Sequence, residues 1–267
     1  MELLVSAGTF FFLKKGIKYS DTAYALQAGG CKARCAFCTQ SSVSRADKAY
    51  LSRVKWYPVK LEDVKDKLSS FKRFCLQTVL KDGFEEEALN ILRQVNIRKS
   101  VTIAPVDERY LWEMKEVGVD YLGVGMDTTR GNWEKVGKPY SFERYLEFVK
   151  RAVEVFGRGK VYVHLVFGLG EDKGEFVELM KELFSLGAEV ALFAFTPVKG
   201  TPMEDHPRPS LEEYREVQRI RFALSTGATP NEKAYFTSGC PSCDRPFYNE
   251  DPREKPYNVP LMEARRL

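Results

Sequence analysis

The sequence predicts an α/β fold, a partial (β/α)6, TIM-like barrel with an irregular C-terminal extension. Two observations lead there. Short apolar runs of strand character alternate with helical segments between residues 23 and 224, the pattern of parallel βαβ units. Past Gly227 the alternation stops, and Pro, Asn and Gly dominate. An open doubly wound sheet is the alternative architecture. Both arrangements put chemistry at the carboxyl ends of the strands.

The elements follow in order. Ala23 to Leu26 is a short apolar strand running into Gly29-Gly30, and Leu61 to Phe71 has a helical pattern. Phe74 to Val79 is a strand, and Phe84 to Val95 a helix with Phe84, Ala88, Leu89, Ile91 and Leu92 at helical spacing. Val101 to Ala104 is a strand stopped by Pro105; Asp107 caps a helix through Val117, and Gly118 ends it. Tyr121 to Met126 is a strand, and Ser141 caps a long helix to Phe156. Val161 to Phe167 is nearly continuous apolar strand, and Lys173 to Leu186 is a helix closed by Gly187. Val190 to Phe195 is the sixth strand. Ser210 then caps a helix to about Leu224, with Glu213 completing a capping box. The domain expectation is a segment 1–20, a barrel core 21–228 and an extension 229–267. In the first segment, Phe10-Phe11-Phe12-Leu13 is expected to be buried in the core.

The chain has 267 residues, 44% of them hydrophobic, which is enough for a large core and excludes global disorder. The 41 Lys+Arg against 37 Asp+Glu leave only +4, so no nucleic-acid partner is expected, while an acidic protein partner is compatible. No apolar run reaches the ~18 residues of a membrane helix. No positive stretch precedes the apolar Leu3–Leu13 region, so a cytoplasmic protein is the expectation. No P-loop or Ser-His-Asp ordering supports nucleotide-triphosphatase or hydrolase chemistry.

The cysteines carry the functional signal. There are six, and three of them, Cys31, Cys35 and Cys38, lie in one loop after the first strand. Such spacing in a chain of this size reads as a metal or redox site. Soft thiolates suit an iron–sulfur cluster, and a [4Fe–4S] cluster held by three leaves one iron open for substrate. Structural zinc is the competing reading. The spacing, with Phe37 before the third Cys, resembles the signature of the radical S-adenosylmethionine (radical SAM) superfamily. The resemblance implies that the open iron chelates SAM. Reduction of the cluster then cleaves SAM to a 5′-deoxyadenosyl radical that abstracts hydrogen from substrate.

Three further places match that family. Gly168-Leu169-Gly170 resembles its Gly-rich SAM-contacting turn. Asp127, after the fourth strand, resembles the carboxylate that bonds the SAM ribose; a turn cap is the alternative. Arg144 resembles the Arg that pairs with the SAM carboxylate; a surface ion pair is the alternative. Within the superfamily, Lys199-Gly200-Thr201-Pro202 and Arg73-Phe74-Cys75 resemble biotin synthase. That enzyme's auxiliary-cluster cysteines in strands three and five are missing here, where strand three reads Val101–Ala104 and Tyr162 stands in strand five. Cys240 and Cys243 lie instead in Cys240-Pro241-Ser242-Cys243.

The expectation is therefore a second, auxiliary [4Fe–4S] cluster on Cys75, Cys240 and Cys243. Its fourth ligand would be Ser238, Ser242 or an exogenous sulfide. A C-terminal zinc knuckle with Cys75 merely buried is the alternative. The tail resembles the split, two-protein lipoyl synthases of archaea and some bacteria. That resemblance implies sulfur insertion into an octanoyl group on a lipoyl-carrier protein or H protein. The partners it implies are a second radical SAM synthase and an electron donor such as ferredoxin. A small-molecule radical SAM enzyme whose auxiliary cluster is a relay or anchor is the alternative. His164, on one face with Tyr162, is expected to be a hydrogen-bonded core residue, with a place at the barrel interior as the alternative. His206 is expected in solvent, and the Pro-rich stretch 246–260 to close over the auxiliary cluster.

Overall fold

The structure is a computed structural model, which describes residues 1–18, 20–52, 54–243 and 255–259. Its centre is a curled nine-stranded sheet forming half a barrel. The strands are β1 (Glu2–Ser6), β2 (Thr22–Gln27), β3 (Tyr50–Leu51), β4 (Val54–Lys60), β5 (Arg73–Gln77), β6 (Lys99–Ile103), β7 (Val119–Asp127), β8 (Val161–Phe167) and β9 (Glu189–Ala194). The helices are α1 (Ala7–Lys15), α2 (Leu61–Val64), α3 (Phe84–Gln94), α4 (Glu108–Glu116), α5 (Trp133–Val136), α6 (Phe142–Phe156), α7 (Lys173–Leu186) and α8 (Leu211–Thr226). The sheet order is β3-β4-β1-β2-β5-β6-β7-β8-β9. Pairing from β2 through β9 is parallel. Among the described residues no pairing returns β9 to β3, so the barrel stays open.

The six parallel strands are those the sequence predicts, with ends shifted by a residue or two. β8 shows why the pattern was readable. Val161, Val163, Leu165 and Phe167 are buried against the helices, while Tyr162, His164 and Val166 alternate onto the inner face, half-buried. The helices lay apolar stripes on the outer face: Phe84, Ala88, Leu89, Ile91 and Leu92 from α3, and Phe142, Tyr145, Leu146 and Val149 from α6. Each large side chain so buried contributes about 1.5–3 kcal/mol. The expected caps form: Asp107 and Ser141 each accept a first-turn N–H, and Ser210 with Glu213 makes the full capping box. Asp172 caps α7 in the same way.

Two expectations, a helix over 61–71 and a buried Phe10–Leu13 run, need correction. Within the leading segment, β1, a strand the sequence pattern does not announce, pairs antiparallel with both β2 and β4 and extends the core sheet. Pro58 is tolerated in β4 because β3 pairs only with Val54 and Lys55, so its missing N–H interrupts no ladder on that side. The helix expected over 61–71 is one turn of α2 followed by 3-10 turns over Lys65–Ser70. Within Leu61–Ser70 only Leu61 and Leu68 are buried, too few for a packed helical stripe. In α1 only Leu13 of the Phe10–Leu13 run is buried, and Phe11 is exposed.

The extension is only partly described. Residues 244–254 and 260–267 lie outside the described residues, and with them most of the stretch 246–260. The described part, 255–259, docks on α8. Tyr257 stacks edge-on to Tyr214, Arg215 donates to Pro256 O and Tyr257 O, and Gln218 donates to Asn258 Oδ1.

Candidate functional site

The loop after β2 carries the first three cysteines and is held by backbone bonds on every side. Cys31 N–H donates to Gln40 O at 3.0 Å, Cys38 N–H to Cys35 O at 3.1 Å, and Lys32 N–H to Leu80 O at 2.7 Å. Lys48 Nζ donates to the carbonyls of Thr39, Ser41 and Ser44, stapling the far side of the loop. Gly200, from the Lys-Gly-Thr-Pro segment, clasps the end of this stretch: its carbonyl accepts from Arg45 N–H at 2.7 Å. Its φ is +88°, and a Cβ there would stand 2.6 Å from Ala46 N, so only glycine fits.

Cys31, Cys35 and Cys38 line one cavity of about 260 Å³ at the carboxyl ends of the parallel strands. Phe37, Gln77, Asp127, Lys138, His164 and Thr196 share its wall. All six cysteines are free thiols. Burial pushes the Cys35 thiol up and the Cys38 thiol up to about 12, so both are protonated in the absence of a metal. Among the described residues no three His, Cys, Asp or Glu side chains converge to hold a single ion. The three soft donors instead face a roomy cavity, an arrangement suited to a multi-iron cluster, with wall left over for a second ligand.

Asp127 ends β7 in the left-handed region, φ +70°, where the β7–β8 register shifts. Its carboxylate lies on the cavity wall, paired with Lys138 Nζ. Burial pulls the Lys138 ammonium down, but Asp127, Tyr145 and Cys35 outweigh it and hold it above its ordinary value. The loop that carries Lys138 is clamped on the cysteine loop: Ala36 N–H donates to Val136 O at 2.8 Å. Sequence reasoning missed both Lys138 and Lys48, since their partners are distant carbonyls and a carboxylate that no local pattern links.

The glycine turn lies one layer behind the cavity. Gly168 has φ +100°, and a Cβ there would meet Pro209 at 2.6 Å; a Cβ at Gly170 would meet His206. Leu169 between them packs with Val136 and Phe195, and Phe37 lies against this group. Asn132 Nδ2 bonds both Leu169 O and Thr128 Oγ1, tying the turn to the segment after Asp127. His206 is half-buried beside Phe195 rather than in open solvent. Arg144 is not among the cavity-lining residues: it is exposed at the start of α6, its guanidinium 4.0 Å above the Tyr140 ring.

A second, smaller cavity lies at the other end of the strands, and it gathers Cys75, Cys240 and Cys243. Gln77 Nε2 donates to Cys75 Sγ at 3.1 Å, and Tyr24 Oη to Cys243 Sγ at 3.8 Å. The bonded Cys243 thiol and burial push the Cys240 thiol well up. Arg73, with a side chain only 2% exposed, anchors this corner. It forms a fork with Asp120, donates to Lys99 O, and donates through Nε to Pro241 O at 3.2 Å, holding the tail loop against the sheet. Of the expected fourth ligands, Ser238 lines this cavity and accepts Leu192 N–H, while Ser242 is not among the lining residues. His164, Thr102 and Phe193 belong to the walls of both cavities. His164 is thus an inner-face residue between them, its ring edge-on to Phe193, rather than a closed-off core histidine.

The Radical SAM superfamily model matches residues 28–183. The chain belongs to the radical SAM superfamily. Membership implies a [4Fe–4S] cluster and SAM, and the cavity at Cys31, Cys35 and Cys38 fits that pair. Among curated proteins, biotin synthase of Coxiella burnetii is 25% identical over 195 residues, covering 69% of this chain and 60% of that protein. Biotin synthase of Hyphomonas neptunium is 28% identical over 214 residues, covering 74% and 65%. The chain thus spans about three-fifths of the length of these relatives. Among solved structures, methylornithine synthase (PylB) superposes with TM-score 0.59 at 16% identity, covering 76% of this chain and 62% of that one. The FeFe-hydrogenase maturase HydG from Carboxydothermus hydrogenoformans gives 0.59 at 18% identity, covering 78% and 52%. These likenesses show the partial-barrel fold. Among the described residues no helix is long and apolar enough to cross a membrane.

Proposed function

We propose that this radical SAM enzyme is a sulfurtransferase of the lipoyl synthase kind, one of a cooperating pair that inserts sulfur into unactivated C–H bonds of a protein-bound octanoyl group. The observation that carries the reading is the second thiol group: Cys75, Cys240 and Cys243 meet in a cavity that shares Thr102, His164 and Phe193 with the first. When bound, SAM on the first cluster supplies a 5′-deoxyadenosyl radical and an auxiliary [4Fe–4S] cluster supplies sulfur.

The chain's own residues have distinct tasks in this reading. Cys31, Cys35 and Cys38 hold the first cluster, and Phe37 walls its outer side. Asp127, fixed by Lys138, takes the SAM ribose hydroxyls. Arg144 reaches the SAM carboxylate by leaving its stack on Tyr140, and the Gly168–Gly170 turn shapes the backbone behind the cofactor. Leu26, Val79, Ile103 and Phe195 give the first cavity an apolar wall that suits an alkyl chain and excludes water from a radical. The substrate is an octanoylated lipoyl-carrier protein or H protein, and the electron donor a ferredoxin in the cytoplasm. The biotin-synthase likeness favours a second reading, a small-molecule radical SAM enzyme using the second cluster as relay or anchor.

Reconstituted protein incubated with SAM, reductant and an octanoylated lipoyl-domain peptide separates the two. A peptide gaining sulfur mass, alone or with a second synthase, supports the first. An unchanged peptide under full 5′-deoxyadenosine production, with the partner present, overturns it.

A further inference from the structure

Four residues of β7 turn inward, and the middle two have no side chain. Tyr121 and Gly123 line the second cavity, and Gly125 and Asp127 the first. Val124 and Met126 alternate outward and are buried in the core under the helices. On the flanking strands Thr102 stands opposite Gly123, and His164 opposite Gly125. Thr102 and His164 also belong to the walls of both cavities. The result is a trough with a backbone floor that leads from one cavity toward the other. We propose that this trough seats the unbranched acyl chain of the substrate, and that Gly125 sets how deep the chain can run; this rests on the sulfur-insertion reading above.

The two glycines have different causes. Neither lies at positive φ. A Cβ at Gly123 would stand 2.5 Å from Thr102 Oγ1 and 3.2 Å from Thr102 Cα, so packing across the strand pair demands glycine there. No such demand exists at Gly125. A Cβ there would meet only the Asp127 carboxylate, at 3.7 Å, an ordinary contact. The register shift that follows puts its positive φ on Asp127, not on Gly125. Glycine weakens a strand, and one that neither backbone nor neighbours require marks the close approach of something else. The space above Gly125 belongs to the first cavity.

The walls give the chemistry of the occupant. Ile103, Val166, Phe193 and Phe195 turn apolar surface into the first cavity, where burial of methylenes is favourable. A polar group is served near the mouth. Thr196, just past the end of β9, is 6% exposed and lines this cavity, and its Oγ1 has no hydrogen-bond partner among the described residues. A buried hydroxyl left unpaired is costly, and the amide that joins an acyl chain to its lysine would pair it. Asp127 and Gly125 are two residues apart on β7, about 7 Å of strand. An extended octanoyl chain entering at the Asp127 end passes Gly125, whereas a butanoyl chain stops short of it.

The test uses the reconstituted full chain and two lipoyl-domain peptides, one octanoylated and one butanoylated, with Kd read by calorimetry. Wild type should bind the octanoyl peptide more tightly, on the order of a hundredfold for four buried methylenes. Gly125→Ala should keep the wild-type Tm, since neither φ nor a contact demands glycine, and should weaken the octanoyl peptide several-fold. Gly125→Val should bring the octanoyl Kd down to the butanoyl level and leave the butanoyl Kd as it was. An octanoyl preference that survives Gly125→Val would overturn the proposal. So would an equal weakening of both peptides, the mark of a general disturbance of the barrel. A wild type that binds both peptides alike would remove the acyl-substrate reading itself and the trough with it, a failure distinct from a wrong role for Gly125.

Discussion

Lys138 Nζ lies 2.5 Å from Asp127 Oδ2 and 2.8 Å from Gly125 O, in the wall of the cavity that holds the first three cysteines. The pair is nearly closed to water, with side-chain exposures of 5% and 16%. Such a pair is costly to break from one side only, because the remaining charge stays buried. Lys138→Met should therefore destabilise the protein by about 3–5 kcal/mol in denaturant unfolding. The double variant with Asp127→Asn should cost less than the sum of the two single changes. Strict additivity would show that the two charges do not depend on one another.

Arg73 ties the tail to the sheet, so its loss should act on one cluster only. Arg73→Met removes the fork to Asp120 and the bond to Pro241 O. Iron content should fall from about eight toward about four per chain, while 5′-deoxyadenosine formation persists. Loss of both together would mean that Arg73 supports the whole barrel rather than the tail.

Gly168 stands where no side chain fits. Gly168→Ala forces a Cβ into φ +100° and against Pro209. The expected cost is about 1–3 kcal/mol, with a raised KM for SAM because the turn behind the cavity shifts. A variant with wild-type stability and KM would contradict the placement.

Glu171 gives the stability a pH dependence of definite sign. Burial pushes its carboxyl up, against hydrogen bonds from backbone N–H groups that include that of Gly168, and its Oε2 is buried with no hydrogen-bond partner among the described residues. The folded state therefore holds this proton more tightly than the unfolded chain. The contribution is whole below the ordinary carboxyl range and is lost as pH rises through the folded value. Glu171→Gln keeps an acceptor for Gly168 N–H and cannot ionise. Its Tm relative to the wild type should rise as pH goes from about 4 to about 8; a difference independent of pH would show that Glu171 does not titrate on folding.

Much of this was legible in the chain because one kind of information, apolar spacing with caps, is local. The six parallel strands and the helices at Asp107, Ser141 and Ser210 follow from it. β1 was not legible, since five residues of strand acquire meaning only by pairing with β2 and β4, 20 and more positions away. The two cysteine groups were legible as residue types, but their meeting was not: Cys75 and Cys240 come together through Arg73 and the β5–β6 register. Lys138 was invisible because its partner, Asp127, is set by a left-handed turn at a strand end. Arg144 was legible by motif, yet its side chain rests on Tyr140, outside the cavity.

The proposal that one chain holds two clusters, the second on Cys75, Cys240 and Cys243, is open to a direct count. Counting iron and sulfide in anaerobically reconstituted wild type and in the Cys240→Ala/Cys243→Ala variant tests it most directly. About eight irons should fall to about four. About four in both proteins would contradict it, leaving a single SAM-binding cluster and a tail that is structural.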